Sequence, residues 1–438
     1  MILLIVEGLF RKLAPGGLSI LIFFFKDFLL GYSLIQLFRI RSTTDEVKGL
    51  YNVLQVLLGF FIPLLIIHGF YDPVLVPWGL KQYIFYAVAG IILVVGFVDN
   101  EYEDFTRYLK LISYFIIPTV IVALVQLQLP AGHWLNSSVN DEDVSRFAAA
   151  GFLRVSSTFS FTGQFSYFLQ FICTIIFSRM YFPDFRSDKN IINSGFKKAI
   201  PLICLLFLIL GVFSTGGRTA VFGVGVVFAM GLFFSLFKNQ SFVVQKSIIP
   251  VLGLLSLLLI LPIFRPDAFA AYTKRAESDY RGQSNVEEIQ NRVFGAYIEG
   301  FRSISEKDNL VSFFFGDGLG VMTNGVDQIS SYAARIRANI WTETDFYTTA
   351  WEGGVYLLLV WYGFRIYMVF YCFRRWNRIK NRGLSMSASF FLGYVTLIGL
   401  IGTLSLQAPI AIYWWTSIGV IILLHHFDRK FQYENSET

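Results

Sequence analysis

The feature that most constrains this chain is a recurring apolar stretch of about twenty residues, set off each time by a short polar connection. As a helix, such a stretch spans the ~30 Å hydrocarbon core of a bilayer. Lipid offers no hydrogen bonds, so the backbone must satisfy itself within the segment, as a helix does. About eleven spans are expected on this rule. The clearest cover Leu50–Phe70, Tyr83–Val98, Leu109–Leu129, Phe159–Phe177 and Ile200–Phe213. Further along come Arg218–Phe237, Ser247–Phe264, Ala350–Cys372, Ser385–Leu404 and Pro409–His425. A first span near Leu18–Phe38 contains Lys26 and Asp27, which predicts either a functional intramembrane pair or an interfacial break. Met1–Arg11 is expected to be a half-span and, lacking a basic stretch ahead of it, not a cleaved signal peptide. The fold class that follows is all-α, a polytopic transmembrane helical bundle of about 11–12 spans.

Composition agrees. Hydrophobic residues make up 55% of the 438 and charged ones only 15%, too little polar surface to cover a soluble core of that size. The net charge of +6 does not point to nucleic acid, because Lys and Arg gather in short loops between apolar runs. Those loops include Arg374–Arg382, Arg179–Lys198, Arg39–Lys48 and Lys238–Lys246. With alternating spans all four fall on one face, predicted to be cytoplasmic together with the C-terminal tail. The opposite face then carries two long segments, Pro130–Thr158 and Arg265–Thr349. The chain divides into N-terminal spans (1–264), a large extracytoplasmic helical loop (265–349), and C-terminal spans with the tail (350–438). Cys173, Cys204 and Cys372 have no metal spacing and are read as buried apolar residues.

Candidate chemistry crowds the outer face. Ser214-Thr-Gly-Gly-Arg-Thr-Ala220 joins two spans there. Gly216 and Gly217 ahead of a helix expose backbone N–H groups at its positive end, and Arg218 adds a planar donor fork suited to phosphate. The alternative is a tight turn with an arginine reaching the headgroups. Arg154 precedes another span amid hydroxyls, as a third outer cation or an interface anchor. In Glu287–Ile304, residues Ile289, Val293, Tyr297 and Phe301 recur at spacing four, predicting an amphipathic helix from which Arg292 projects. Arg292 either serves the site or pairs with Glu288. Gly316-Asp-Gly-Leu-Gly320 is read as a turn, because no strand–helix context makes it a nucleotide loop. In Trp341–Gly354, Thr342 and Asp345 have capping-box spacing, which leaves Glu343 available as a base or as a charge on the helix dipole. The four histidines lack metal-ligand spacing, and Tyr413, Trp414 and Trp415 are read as packing or belt residues.

In this order and sidedness the chain resembles the O-antigen ligase and O-antigen polymerase superfamily, membrane glycosyltransferases that use undecaprenyl-diphosphate-linked sugars. The matching features are Arg218 after its small-residue turn, Arg292 on a loop helix, and the glycine-rich Gly316–Gly320. Thr344-Asp345-Phe346 running into Glu352-Gly353 completes the match. The resemblance implies a lipid-linked glycan donor whose diphosphate is held by Arg218 and Arg292, with Arg154, Gly216, Gly217 and Asp345 lining the substrate site. Glu343 then takes the proton from the acceptor hydroxyl, with no metal or nucleotide cofactor. Ligases of the family carry a histidine where Glu343 stands, so polymerisation of repeat units is expected before transfer to a lipid A core or another acceptor. The implied partners are the lipid-linked glycan, membrane lipids and other assembly proteins such as a chain-length regulator and a flippase. Two other classes are a lipid-linked-sugar transporter, disfavoured by the lack of internal repeats, and a non-catalytic member of an export complex.

Overall fold

A computed structural model of the chain describes residues 1–39, 44–137, 139, 148–149, 152–182, 194–238, 294–307, 309–323, 325–338, 340 and 344–437, with 262–263, 266 and 269–270. The protein is an all-α polytopic membrane protein. Among the described residues, eight helical segments are long and apolar enough to cross a bilayer. They are Gly16–Leu37, Asp45–Tyr71, Leu75–Phe97, Tyr102–Gln128, Arg218–Lys238, Asp345–Arg378, Arg382–Ile401 and Ala408–Ser436. Thr162–Met180 and Ser194–Ser214 are further helices at expected positions. The expected span Ser247–Phe264 lies almost wholly outside the described residues. Strand structure, among the described residues, is one two-residue antiparallel pairing of Ala148–Ala149 with Phe152–Leu153.

The helices overrun the apolar windows that announce them. Asp345–Arg378, for example, extends past both ends of Ala350–Cys372, but it is two helical pieces joined at a break at Gly354, and the first piece turns back so that Asp345 meets Arg365. Burial sorts them by layer. The apolar window of Ala408–Ser436 is wholly enclosed by protein, whereas that of Gly16–Leu37 is 11% buried and so borders lipid. Tyr413, Trp414 and Trp415 are core residues rather than belt residues: all three are buried, and Trp414 Nε1 donates to the Val395 carbonyl at 2.9 Å.

The two charges in the first span do not break it, since Gly16–Arg39 is one continuous helix. Lys26 lies 3.3 Å from Glu7 of the short helix Ile2–Leu13, and Asp27 lies 2.7 Å from Lys81. Tyr86 also donates to Asp27, at 3.1 Å. The intramembrane charges are therefore compensated in pairs that join three helices.

One end of the bundle collects the basic connections. Lys238 Nζ donates to the carbonyls of Trp376, Asn377 and Ile379, capping the end of the Asp345–Arg378 helix. Asp428 accepts from the N–H groups of Lys380 and Asn381, and Arg429 pairs with Glu46 at 2.9 Å. The other end holds the segment 294–340, with helices Ala296–Ser305, Leu310–Phe315 and Ser331–Arg337. Two small apolar clusters dock it onto the helix ends below: one joins Val321, Met322, Val326 and Ala333 to Leu75, the other joins Ile304 to Ala350 and Leu358. Gly300 sits against Phe346, and Ser330 Oγ donates to Asp72 Oδ2 at 2.5 Å.

Candidate active site at one end of the bundle

The Gly-Gly-Arg turn is built as its residues suggest. The Ser194–Ser214 helix ends, Gly216 adopts φ +58°, and a new helix begins at Arg218. A positive φ favours glycine, which here reverses the chain in two residues. Thr215 Oγ1 accepts from Gly217 N–H at 3.0 Å, and Gln170 Nε2 donates to the Thr219 carbonyl at 3.2 Å. Arg218 is half-buried in the first turn of the 21-residue helix Arg218–Lys238, where the macrodipole favours an anion.

Three helix starts meet at this end. A Cβ on Gly217 would lie 3.9 Å from Ser166 Oγ, and one on Gly163 would lie 3.6 Å from Gln407 Nε2. Ser405, two residues before Gln407, donates from its N–H and its hydroxyl to Asp345 Oδ1, at 2.8 and 2.6 Å. The start of the Thr162 helix thus touches both the Arg218 turn and the connection from Gly402 to Gln407, and that connection holds Asp345.

Asp345 is 3% exposed, and its other oxygen accepts from Arg365 Nη1 at 2.5 Å. It is the first residue of its helix, with Thr344 as N-cap, so it does not occupy the third helical position of the expected Thr342–Asp345 capping box. Arg365 is fully buried and donates as well to the carbonyls of Gly399, Ile398 and Gly402 at 2.6, 3.0 and 2.8 Å. One guanidinium therefore caps the Arg382–Ile401 helix and holds the start of the Asp345–Arg378 helix beside it.

The glycine-rich loop is the turn its residues predict, and it is fixed from two helices. His68 Nδ1 accepts from Leu319 N–H at 2.9 Å, while Nε2 lies 2.7 Å from the Phe315 carbonyl. A single neutral tautomer satisfies both bonds. Glu352 is fully buried; Oε1 accepts from Met322 N–H at 2.8 Å and Oε2 from the Tyr83 hydroxyl at 2.7 Å. Gly354 breaks the long helix at φ 58°, ψ −154°, and a Cβ there would lie 2.4 Å from the Phe313 carbonyl oxygen. Close to the break, the carbonyls of Trp351 and Glu352 accept from Asp317 and Gly318 N–H at 3.0 and 3.2 Å.

Arg154 is half-buried on the stretch leading into the Thr162 helix. Two hydroxyls near it are engaged by cations that sequence reasoning passed over: Lys12 donates to Ser156 and Arg11 to Ser160, at 2.8 and 3.2 Å. Arg292 and Glu343 lie outside the described residues, as do Ile289 and Val293 of the predicted seam. Its other two residues, Tyr297 and Phe301, both pack edge-on against Phe346. The structure adds His68, weighed in the sequence only as a metal ligand, and Tyr83 and Arg365, not singled out there. His68 and Arg365 carry a legible signal, an ionisable side chain within an apolar span. Set beside known proteins, the chain matches no family model, and no curated protein matches it in sequence.

Proposed function

We propose that the protein is a membrane glycosyltransferase that polymerises oligosaccharide repeat units carried on a lipid diphosphate, acting at the outer face of the cytoplasmic membrane. The observation that carries this reading is the half-buried Arg218 on a glycine-formed helix start, packed against the start of the Thr162 helix. A diphosphate leaving group would lie at that helix start, where oriented N–H groups and the guanidinium stabilise the charge that develops as the glycosidic bond breaks. Arg292 and Arg154 supply further positive charge. Glu343 removes the proton from the acceptor hydroxyl. Asp345, with both oxygens engaged, positions the helix start next to Glu343 rather than taking that proton itself. The basic end of the bundle faces the cytoplasm on this reading.

The test is transfer by purified protein given a lipid-linked oligosaccharide donor, with a chelator present. Glu343→Gln is expected to keep donor binding and to lose about 10²–10⁴ in turnover. Arg218→Ala and Arg292→Ala are expected to abolish polymer, with lipid-linked single units accumulating outside the membrane. Wild-type polymer from both arginine variants, expressed at normal levels, would overturn the reading.

A further inference from the structure

Beside the helix break lies an open cleft of about 560 Å³. It is lined, among the described residues, by Asp317, Tyr332, Arg335, Ile336, Ile340 and Trp351. The size falls within the ~300–1,000 Å³ of small-molecule sites. Trp351, Ile336 and Ile340 offer apolar surface for the C–H face of a sugar ring, while Asp317, Tyr332 and Arg335 offer polar partners for its substituents.

The lining is already ordered. Tyr332 stacks on Tyr71 with ring centroids 5.9 Å apart and donates its hydroxyl to the Asp317 carbonyl at 2.8 Å. Trp351 Nε1 donates to the Tyr347 hydroxyl at 3.2 Å, and the Lys307 ammonium sits 3.0 Å from the Trp351 ring centroid. Asp317 and Trp351 are also joined through the loop docked by His68 and Glu352. A ligand entering here orders few side chains, which removes a main cost of binding.

The charge balance is specific. Lys307 pairs with Asp317 and cancels it. No carboxylate among the described residues lies within salt-bridge distance of Arg335, which is exposed at the cleft. Burial, with Asp317 and Tyr71 adding to it, pushes the Tyr332 hydroxyl up to about 12, so it stays neutral and does not repel an anion. A guanidinium with no carboxylate partner among the described residues, beside an aromatic and aliphatic wall, matches a pyranose carrying a carboxylate, which a planar fork can hold through two hydrogen bonds.

Resting on the glycosyltransferase reading, we propose that this cleft is a glycan subsite that holds a carboxylate-bearing sugar of the chain. It thereby steers acidic repeat units into the enzyme.

Binding can be measured without turnover on full-length protein in nanodiscs, by calorimetry and saturation-transfer NMR. The probes are a tetrasaccharide of alternating glucuronic acid and N-acetylglucosamine, neutral chitotetraose, and inorganic phosphate. The acidic tetrasaccharide is expected to bind about tenfold or more tighter than the neutral one, from one charge-assisted pair. Arg335→Gln and Arg335→Glu, at an exposed position, should erase that preference while leaving neutral binding in place. Equal binding of both sugars, no binding of either, an unaltered preference in the Arg335 variants, or phosphate binding as tightly as the acidic sugar would each overturn the proposal. Failure of the underlying reading shows separately, as wild-type polymer from cells carrying Arg218→Ala.

Discussion

Arg365→Met tests whether one buried guanidinium bolts two helices together. The substitution keeps much of the side-chain volume and removes the charge. It deletes four donated hydrogen bonds at once: one to Asp345 and three to the carbonyls of Ile398, Gly399 and Gly402. Asp345 is left as a buried carboxylate whose remaining partners are the two donors of Ser405. Breaking one side of a buried pair costs about 3–5 kcal/mol. Asp345→Asn removes the opposite charge and keeps an oxygen for Ser405, but leaves Arg365 uncompensated in the same site. The double variant carries neither orphaned charge, so it should be more stable than the sum of the single losses implies. A coupling of about 2–3 kcal/mol is expected, at the upper end for residues in direct contact. The assay is reversible unfolding in mixed micelles of rising denaturing-detergent fraction, read by the loss of tertiary fluorescence. A coupling below about 0.5 kcal/mol would refute the argument, because that is the additivity seen for distant, independent sites.

Other expectations follow from the same contacts. Gly354→Ala should destabilise by at least about 1–3 kcal/mol, since its φ/ψ region is essentially restricted to glycine and the added Cβ meets the Phe313 carbonyl; a neutral effect in the micelle assay would remove the helix break from the account. His68→Ala should loosen the glycine-rich loop and speed proteolysis between residues 315 and 323 while the spans stay folded, and unchanged cleavage would show that Glu352 alone suffices. Tyr332 has a folded-state pKa raised above its unfolded value of about 10, so its contribution to docking is complete below that pH. It is lost as pH rises through about 12; Tyr332→Phe should flatten this alkaline fall in loop protection, and an identical pH profile would contradict it. A cysteine placed at Gln328 should label in intact cells, whereas labelling only after permeabilisation would invert the proposed orientation.

Helix positions were legible because hydropathy alone decides them: Arg218–Phe237 and Arg218–Lys238 differ by one residue. The ends of Asp345–Arg378 were less so, since its polar termini carry no apolar period. The Gly216–Arg218 turn and the Gly316–Gly320 turn were readable from local residue types. The partners of the second were not, because His68 and Phe315 are separated by 247 positions and nothing near either one encodes the pairing. Lys26 and Asp27 announced themselves as costly, but Glu7 and Lys81 emerged only from the packing of three helices.

The two-sided fixing of the glycine-rich loop also sets an order of events during synthesis. His68 enters the membrane when its partners, Phe315 and Leu319, are still unmade, and the Glu352 helix follows later still. Until then a buried imidazole and the Tyr83 hydroxyl lie in the nascent bundle without the bonds that settle them. That end of the bundle therefore closes only once the chain through Glu352 has been inserted. A ribosome stalled before that point would leave a half-bundle carrying unmet polar groups in lipid, the kind of intermediate that membrane quality control can recognise and remove.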